Sequence, residues 1–180
     1  MNKRILKILI GLTASIMLLL VSLYGKYHAD TKPKTNYIRV VEVHDGDTVS
    51  VTLDDKREKV RLIGIDAPEL GQRPWGQKAK GHLKELLSSS KWEVSLEFDI
   101  EKRDIHGRLL SYLWTPDRKM INLQMVEDGY AMLFTVPPNV RYVDEFRKAQ
   151  DDARNKGLGI WGRSRLRETP REYRKEHPRL

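Results

Sequence analysis

The 180-residue sequence contains no cysteine, which removes disulfide frameworks, thiolate metal sites, iron–sulfur clusters and cysteine nucleophiles. Any metal must be held by oxygen or imidazole. Glycine and proline are scarce, at 12 and 8 residues, so collagen-like and low-complexity classes are excluded, while a hydrophobic fraction of 39% suffices for one real core. No internal repeat is present, and the length suits one compact domain with short appendages. Charge of one sign is also missing from the middle of the chain. The net charge is +8, but residues 1–30 hold +3 of it and residues 163–180 hold +4, leaving 22 basic against 21 acidic residues in 31–162. A polyanion handled by that middle must be gripped by a few placed arginines rather than by a broad field.

Long apolar runs are absent except at residues 8–24, which follow Lys3, Arg4 and Lys7 and precede the first acidic residue, Asp30. This is the pattern of an export segment. Its 17 residues are long for a cleaved signal and slightly short for a bilayer span of about 20 residues. A small-x-small cleavage site is lacking, because Tyr27-His28-Ala29 and Leu23-Tyr24-Gly25 put a large residue at the third position back. The expectation is an uncleaved amino-terminal helix that anchors the chain in a membrane with its body outside, or a secreted body if the segment is cleaved. The organisation expected is a signal or anchor segment at 1–30, a folded domain at 31–162 and a basic tail at 163–180. The tail lacks apolar periodicity, which reads as mobile or loosely packed.

From Tyr37 the apolar residues alternate. Ile38, Val40 and Val43, then Val49, Val51 and Leu53, then Val60, Leu62 and the run to Ile65 predict three consecutive strands. The breaks at His44-Asp45-Gly46-Asp47 and Asp54-Asp55-Lys56 are turn chemistry, so the strands form antiparallel hairpins. Ala79, Leu83, Leu86 and Leu87 recur at helical spacing within 76–90. Trp92, Val94, Leu96 and Phe98 predict a fourth strand, and 109–114 a fifth. Asn122 is positioned to cap a short helix ending at Gly129, and Tyr142, Phe146, Ala149 and Ala153 mark a longer one ending before Gly157. An all-β core of five strands with about three helices, one of them between strands three and four, is the arrangement of an OB-fold barrel. Fold alone does not give function.

Three segments concentrate unusual residues: Asp45-Gly46-Asp47-Thr48, the stretch from Arg61 through Asp66-Ala67-Pro68-Glu69, and Asp104-Ile105-His106-Gly107-Arg108. Singly, each has a plain structural explanation. Asp-Gly-Asp is usually a hairpin turn, and an EF-hand is excluded because Val49 occupies the next ligand position. Together they place acidic residues at the start of one strand and the end of the next, with two arginines on neighbouring strands.

In this order and spacing, the three segments resemble the staphylococcal nuclease (thermonuclease) family, over roughly residues 37–161. The resemblance implies a calcium-dependent nuclease of DNA and RNA, built on an OB-fold with three helices and leaving 3′-phosphate and 5′-hydroxyl ends. It implies that Asp47 and Asp66 ligate Ca2+ with the main-chain carbonyl of Ala67, that Glu69 activates the attacking water, and that Arg61 and Arg108 hold the scissile phosphate. A monomer without protein partners is expected. Ala67 stands where members often have Thr, and Thr135 and Pro137 stand where the best-known member has two tyrosines that contact nucleotide.

The residue types suit those roles on physical grounds. Two guanidiniums can donate paired, charge-assisted hydrogen bonds to the oxygens of a pentacoordinate phosphorus, which lysines cannot. Calcium wants six to eight hard oxygens, so two carboxylates and a carbonyl leave room for water and a substrate oxygen. Pro68 biases Ala67 away from helix, and a nearby glutamate can accept the proton of water. His106, where members often carry an aromatic residue, is a candidate substrate contact. It also opens a rival His-metal mechanism, disfavoured because His28, His44, His82 and His177 show no converging spacing. A noncatalytic OB-type nucleic-acid-binding module is the alternative from another class.

Overall fold

Residues 37–178 are described by a computed structural model; the apolar segment expected to anchor the chain lies outside them. Among the described residues no helix is long and apolar enough to cross a membrane.

Strands β1 (Ile38–Val43), β2 (Thr48–Leu53) and β3 (Lys56–Leu62) form the expected meander. Asp54 and Asp55 join β2 to β3 with φ of 48° and 59°, the two positive values that a type I′ hairpin turn requires and that aspartate tolerates. The alternation of β1 slips between Val40 and Val43, and the register shows why: a bulge lies between Val40 and Glu42, so that both valines face the core. β3 stops at Leu62 rather than running on to Ile65. Gly64 turns the chain at φ +82°, where a Cβ would meet the Phe146 ring at 2.5 Å, and Gly64–Asp66 becomes a separate short strand, β4.

Helix α1 (Trp75–Ser89) buries Ala79, Leu83 and Leu87 on one face and carries the chain to β5 (Glu93–Arg103) and β6 (Leu109–Trp114). β6 lies parallel to β3, and β5 pairs antiparallel with both β6 and β1. The barrel thus closes in the order β1-β2-β3-β6-β5, the five-stranded closed barrel expected of an OB-fold. β4 leaves it to pair with β7 (Met132–Phe134), a partnership without any signal in the alternation pattern.

Four helices are described, one more than expected: α1, α2 (Ile121–Glu127), α3 (Val143–Lys156) and α4 (Pro170–Glu176). α3 buries Phe146, Ala149 and Ala153 and ends at Gly157 with φ 63°, as its periodicity implied. Asn122 is not a cap. It is fully buried, accepts from the Leu113 N–H at 2.9 Å and donates to the carbonyls of Ile63 and Ser111. Its amide thus replaces the ladder bonds lost where β3 departs from β6. Asn122→Leu leaves a buried N–H and a buried C=O unpaired at about 1–3 kcal/mol each, so a stability loss of about 2–4 kcal/mol is expected in denaturant unfolding. A change under about 0.5 kcal/mol would show that the amide does not staple the barrel.

α4 corrects the reading of the tail. Thr169 accepts from the Glu172 N–H, the Glu172 side chain accepts from the Thr169 N–H, and Pro170 occupies the first turn. Local capping, not an apolar stripe, makes this short helix.

Candidate active site

The register of the meander brings the acidic turn to the arginine. Thr48 pairs with Arg61 across β2 and β3, and the Leu62 N–H donates to the Asp47 carbonyl at 2.8 Å. Gly46 lets this turn press against the next loop, since a Cβ there would stand 2.6 Å from that of Ala67 and 2.8 Å from that of Ala79. The Ala67 N–H can therefore donate to Asp47 Oδ2 at 2.9 Å across twenty residues of chain. Asp47 Oδ1 accepts from Thr48 Oγ1, and the Asp47 N–H donates to Asp45 Oδ1, so the first segment orders itself.

Arg61 is not a solvated strand residue: its side chain is only 15% exposed. Its Nη1 donates to the Leu62 carbonyl at 2.5 Å, and its Nη2 donates to the Ile65 carbonyl at 2.9 Å. The same Nη2 lies 3.1 Å from Asp47 Oδ2 and 3.4 Å from Asp66 Oδ1. The two aspartates thus converge on a single point. Burial pushes the Asp47 carboxyl up to about 7 against the opposing pull of Arg61, so its charged form would gain from a further positive charge.

Glu69 follows on the same loop, its backbone N–H held by Gln72 Oε1 at 2.9 Å. Its Oε1 accepts from Arg174 Nη1 at 2.9 Å, and the same guanidinium grips both oxygens of Asp66, at 3.0 and 2.8 Å. These bonds, chiefly the one to Asp66, push the guanidinium pKa further up. Arg108 immediately precedes β6, the strand parallel to β3. Its Nε donates to Asp104 Oδ2 at 2.7 Å and its N–H to Asp104 Oδ1. Burial alone would raise the Asp104 carboxyl, but the hydrogen bonds from Arg108 outweigh it and hold the group below the usual carboxylate range.

Arg61 and Arg108 line one cavity of about 260 Å³, together with apolar walls from Ile105, Phe134 and Val136. Of the residues singled out in the sequence, Asp47, Arg61, Asp66, Ala67 and Glu69 come together, and Arg108 joins them through the cavity. His106 stands apart, exposed on the β5–β6 turn, with its backbone N–H on Asp104 Oδ1 and its ring outside the cavity lining. Trp75 is buried, and Trp92 and Trp114 pack against the core, as rim and core residues rather than stacking platforms.

Three neighbours carry little or no signal in the sequence: Gln72, Asn139 and Arg174. Gln72 looks like any loop glutamine. Asn139 exchanges two bonds with the backbone of Glu101 at the cavity rim. Arg174 has one signal, the Thr-Pro-Arg-Glu helix start at 169–172.

Among the described residues no three Asp, Glu, His or Cys side chains are grouped to hold an ion by themselves. The convergent pair Asp47 and Asp66 is an all-oxygen donor set, which fits a hard divalent cation completed by main-chain, water or substrate oxygens.

Residues 59–163 match the family model described as Staphylococcal nuclease homologue. The chain is 38% identical over 129 residues to the Thermonuclease of Staphylococcus intermedius, covering 69% of this chain and 75% of that one. It is 33% identical over 147 residues to Endonuclease YncB of Bacillus subtilis, covering 78% and 68%. Identity to the Thermonuclease of Staphylococcus hyicus is 34% over 128 residues, covering 68% and 74%.

Proposed function

The chain belongs to the staphylococcal nuclease family and is a phosphodiester hydrolase, and on that premise we propose that it cleaves DNA and RNA in a calcium-dependent reaction that leaves 3′-phosphate and 5′-hydroxyl ends. The observation that carries this reading is the convergence of Asp47 and Asp66 on one Nη2 of Arg61, beside a cavity that Arg61 shares with Arg108. Calcium held by Asp47, Asp66 and the Ala67 carbonyl would supply positive charge beside the phosphate.

The chain's own residues do the rest. Arg61 and Arg108 orient the scissile phosphate in the cavity and donate to its non-bridging oxygens as charge builds on them. The Glu69 carboxylate takes a proton from water as the water oxygen bonds to phosphorus, and the bond from phosphorus to the 5′ oxygen breaks. That oxygen leaves with a proton from solvent, and the 3′ side retains the phosphate. No 2′-hydroxyl takes part, so both sugars are cut.

Export of the chain, supported by its basic and then apolar beginning at residues 3–24, would serve such a site. A low-charge calcium site binds in the range of about 10⁻⁴ to 10⁻³ M, as in extracellular modules. The test is cleavage of end-labelled single-stranded DNA and RNA with calcium and with chelator. Calcium-dependent cutting of both, leaving 3′-phosphates, is expected. Products with 5′-phosphates, or activity on RNA alone, would overturn the mechanism, and binding without cleavage would make the chain a holding module.

A further inference from the structure

The mechanism gives Arg174 no part, yet Arg174 sits on two of the mechanism's three carboxylates. Its guanidinium occupies both oxygens of Asp66, at 3.0 and 2.8 Å, and reaches Glu69 Oε1 at 2.9 Å. A bidentate guanidinium and a divalent cation compete for the same face of one carboxylate: each repels the other, and Arg174 already takes a lone pair on each Asp66 oxygen.

We infer that helix α4 is a built-in plug, with Arg174 standing in for the cation on Asp66 while it holds Glu69, so that calcium binding requires α4 to leave and its leaving withdraws the guanidinium from Glu69. This rests on the calcium-dependent reading above.

The docking of the tail suits a part that comes and goes. Trp75 Nε1 donates to the Ser164 carbonyl at 2.7 Å, and Gln72 Nε2 donates to the Glu168 carbonyl at 3.0 Å. Gln72 thus holds the tail with one end of its amide and the Glu69 backbone with the other. Tyr173 lies over Gly71, where a Cβ would stand 2.0 Å from its hydroxyl, and stacks on His177. Within α4 only Pro170 is buried. A dock made of hydrogen bonds and ion pairs opens more readily than a packed apolar face, because water replaces the bonds that are broken. The capping box is internal to the helix, so α4 keeps its own start when it leaves.

Two measurements on the full-length protein test this without substrate. Calcium titration calorimetry is compared between wild type, Arg174→Gln and, as a control of equal charge change, Lys175→Gln, an exposed residue of the same helix. Arg174→Gln is expected to bind calcium at least about tenfold more tightly than wild type, equivalent to about 1.4 kcal/mol, while Lys175→Gln changes affinity less than twofold. In wild type alone, calcium is expected to raise amide hydrogen exchange across residues 169–177. Equal calcium affinity in wild type and Arg174→Gln, or exchange in α4 that calcium leaves unchanged or slows, would overturn the plug and leave the nuclease reading intact. No calcium binding in any of the three chains would overturn the calcium reading and the plug with it. Tight binding with α4 released but no cleavage of nucleic acid would support the plug while refuting the proposed reaction.

Discussion

Glu69→Gln is expected to lower kcat by two or more orders of magnitude in a protein that folds as wild type does. General-base catalysis contributes about 10²–10⁴-fold, and glutamine keeps the shape of the side chain while removing its ability to take a proton. The loop should hold, because Gln72 bonds to the backbone N–H of residue 69 rather than to its carboxylate. The comparison is His106→Ala, expected to change kcat by less than about threefold, because that ring is exposed and lies outside the cavity lining. Steady-state rates on a single-stranded substrate decide the matter. If His106→Ala abolished cleavage and Glu69→Gln did not, histidine rather than glutamate would be the general base.

Arg61→Lys and Arg108→Lys are each expected to lose at least about 100-fold in kcat although charge is conserved, since a lysine is a point charge that cannot reproduce the planar fork on a phosphoryl group. The two should differ in stability. Arg61 ties the Leu62 and Ile65 carbonyls to Asp47 and Asp66, and a lysine cannot span those acceptors, so Arg61→Lys should also cost about 1–3 kcal/mol. Arg108 is more exposed, and among the described residues its one ion pair is with Asp104, four residues away in sequence, so Arg108→Lys should fold with near wild-type stability. Thermal or denaturant unfolding beside the kinetic assay separates the effects. Near-normal rates in both lysine variants would reduce the arginines to structural residues.

Much of this arrangement is legible in the sequence, and the legible parts share a character. The three-strand meander, its Asp54-Asp55 turn and the helices at 75–89 and 143–156 announce themselves in apolar spacing and turn residues within a dozen positions of one another. The acidic and arginine-bearing segments are equally plain as motifs, because the chemistry of phosphate and hard-cation binding restricts residue types at close spacing. Their meeting point is implied by strand order, since adjacent antiparallel strands must lay Thr48 beside Arg61.

What only the tertiary structure decided lies between residues far apart in the chain. Alternation says that β3 is a strand, but not that it ends at Leu62 so that Gly64–Asp66 can pair with Met132–Phe134. A helix-start asparagine reads as a cap until the closed barrel presents it with the backbone groups of Ile63, Ser111 and Leu113. A basic tail without apolar periodicity reads as mobile or loosely packed until α4 brings Arg174 to Asp66 across 108 residues. Periodicity and capping are local properties of a chain with 3.6- or two-residue repeats. The partner of a buried amide or a guanidinium is set by which unsatisfied group the closed fold leaves within reach.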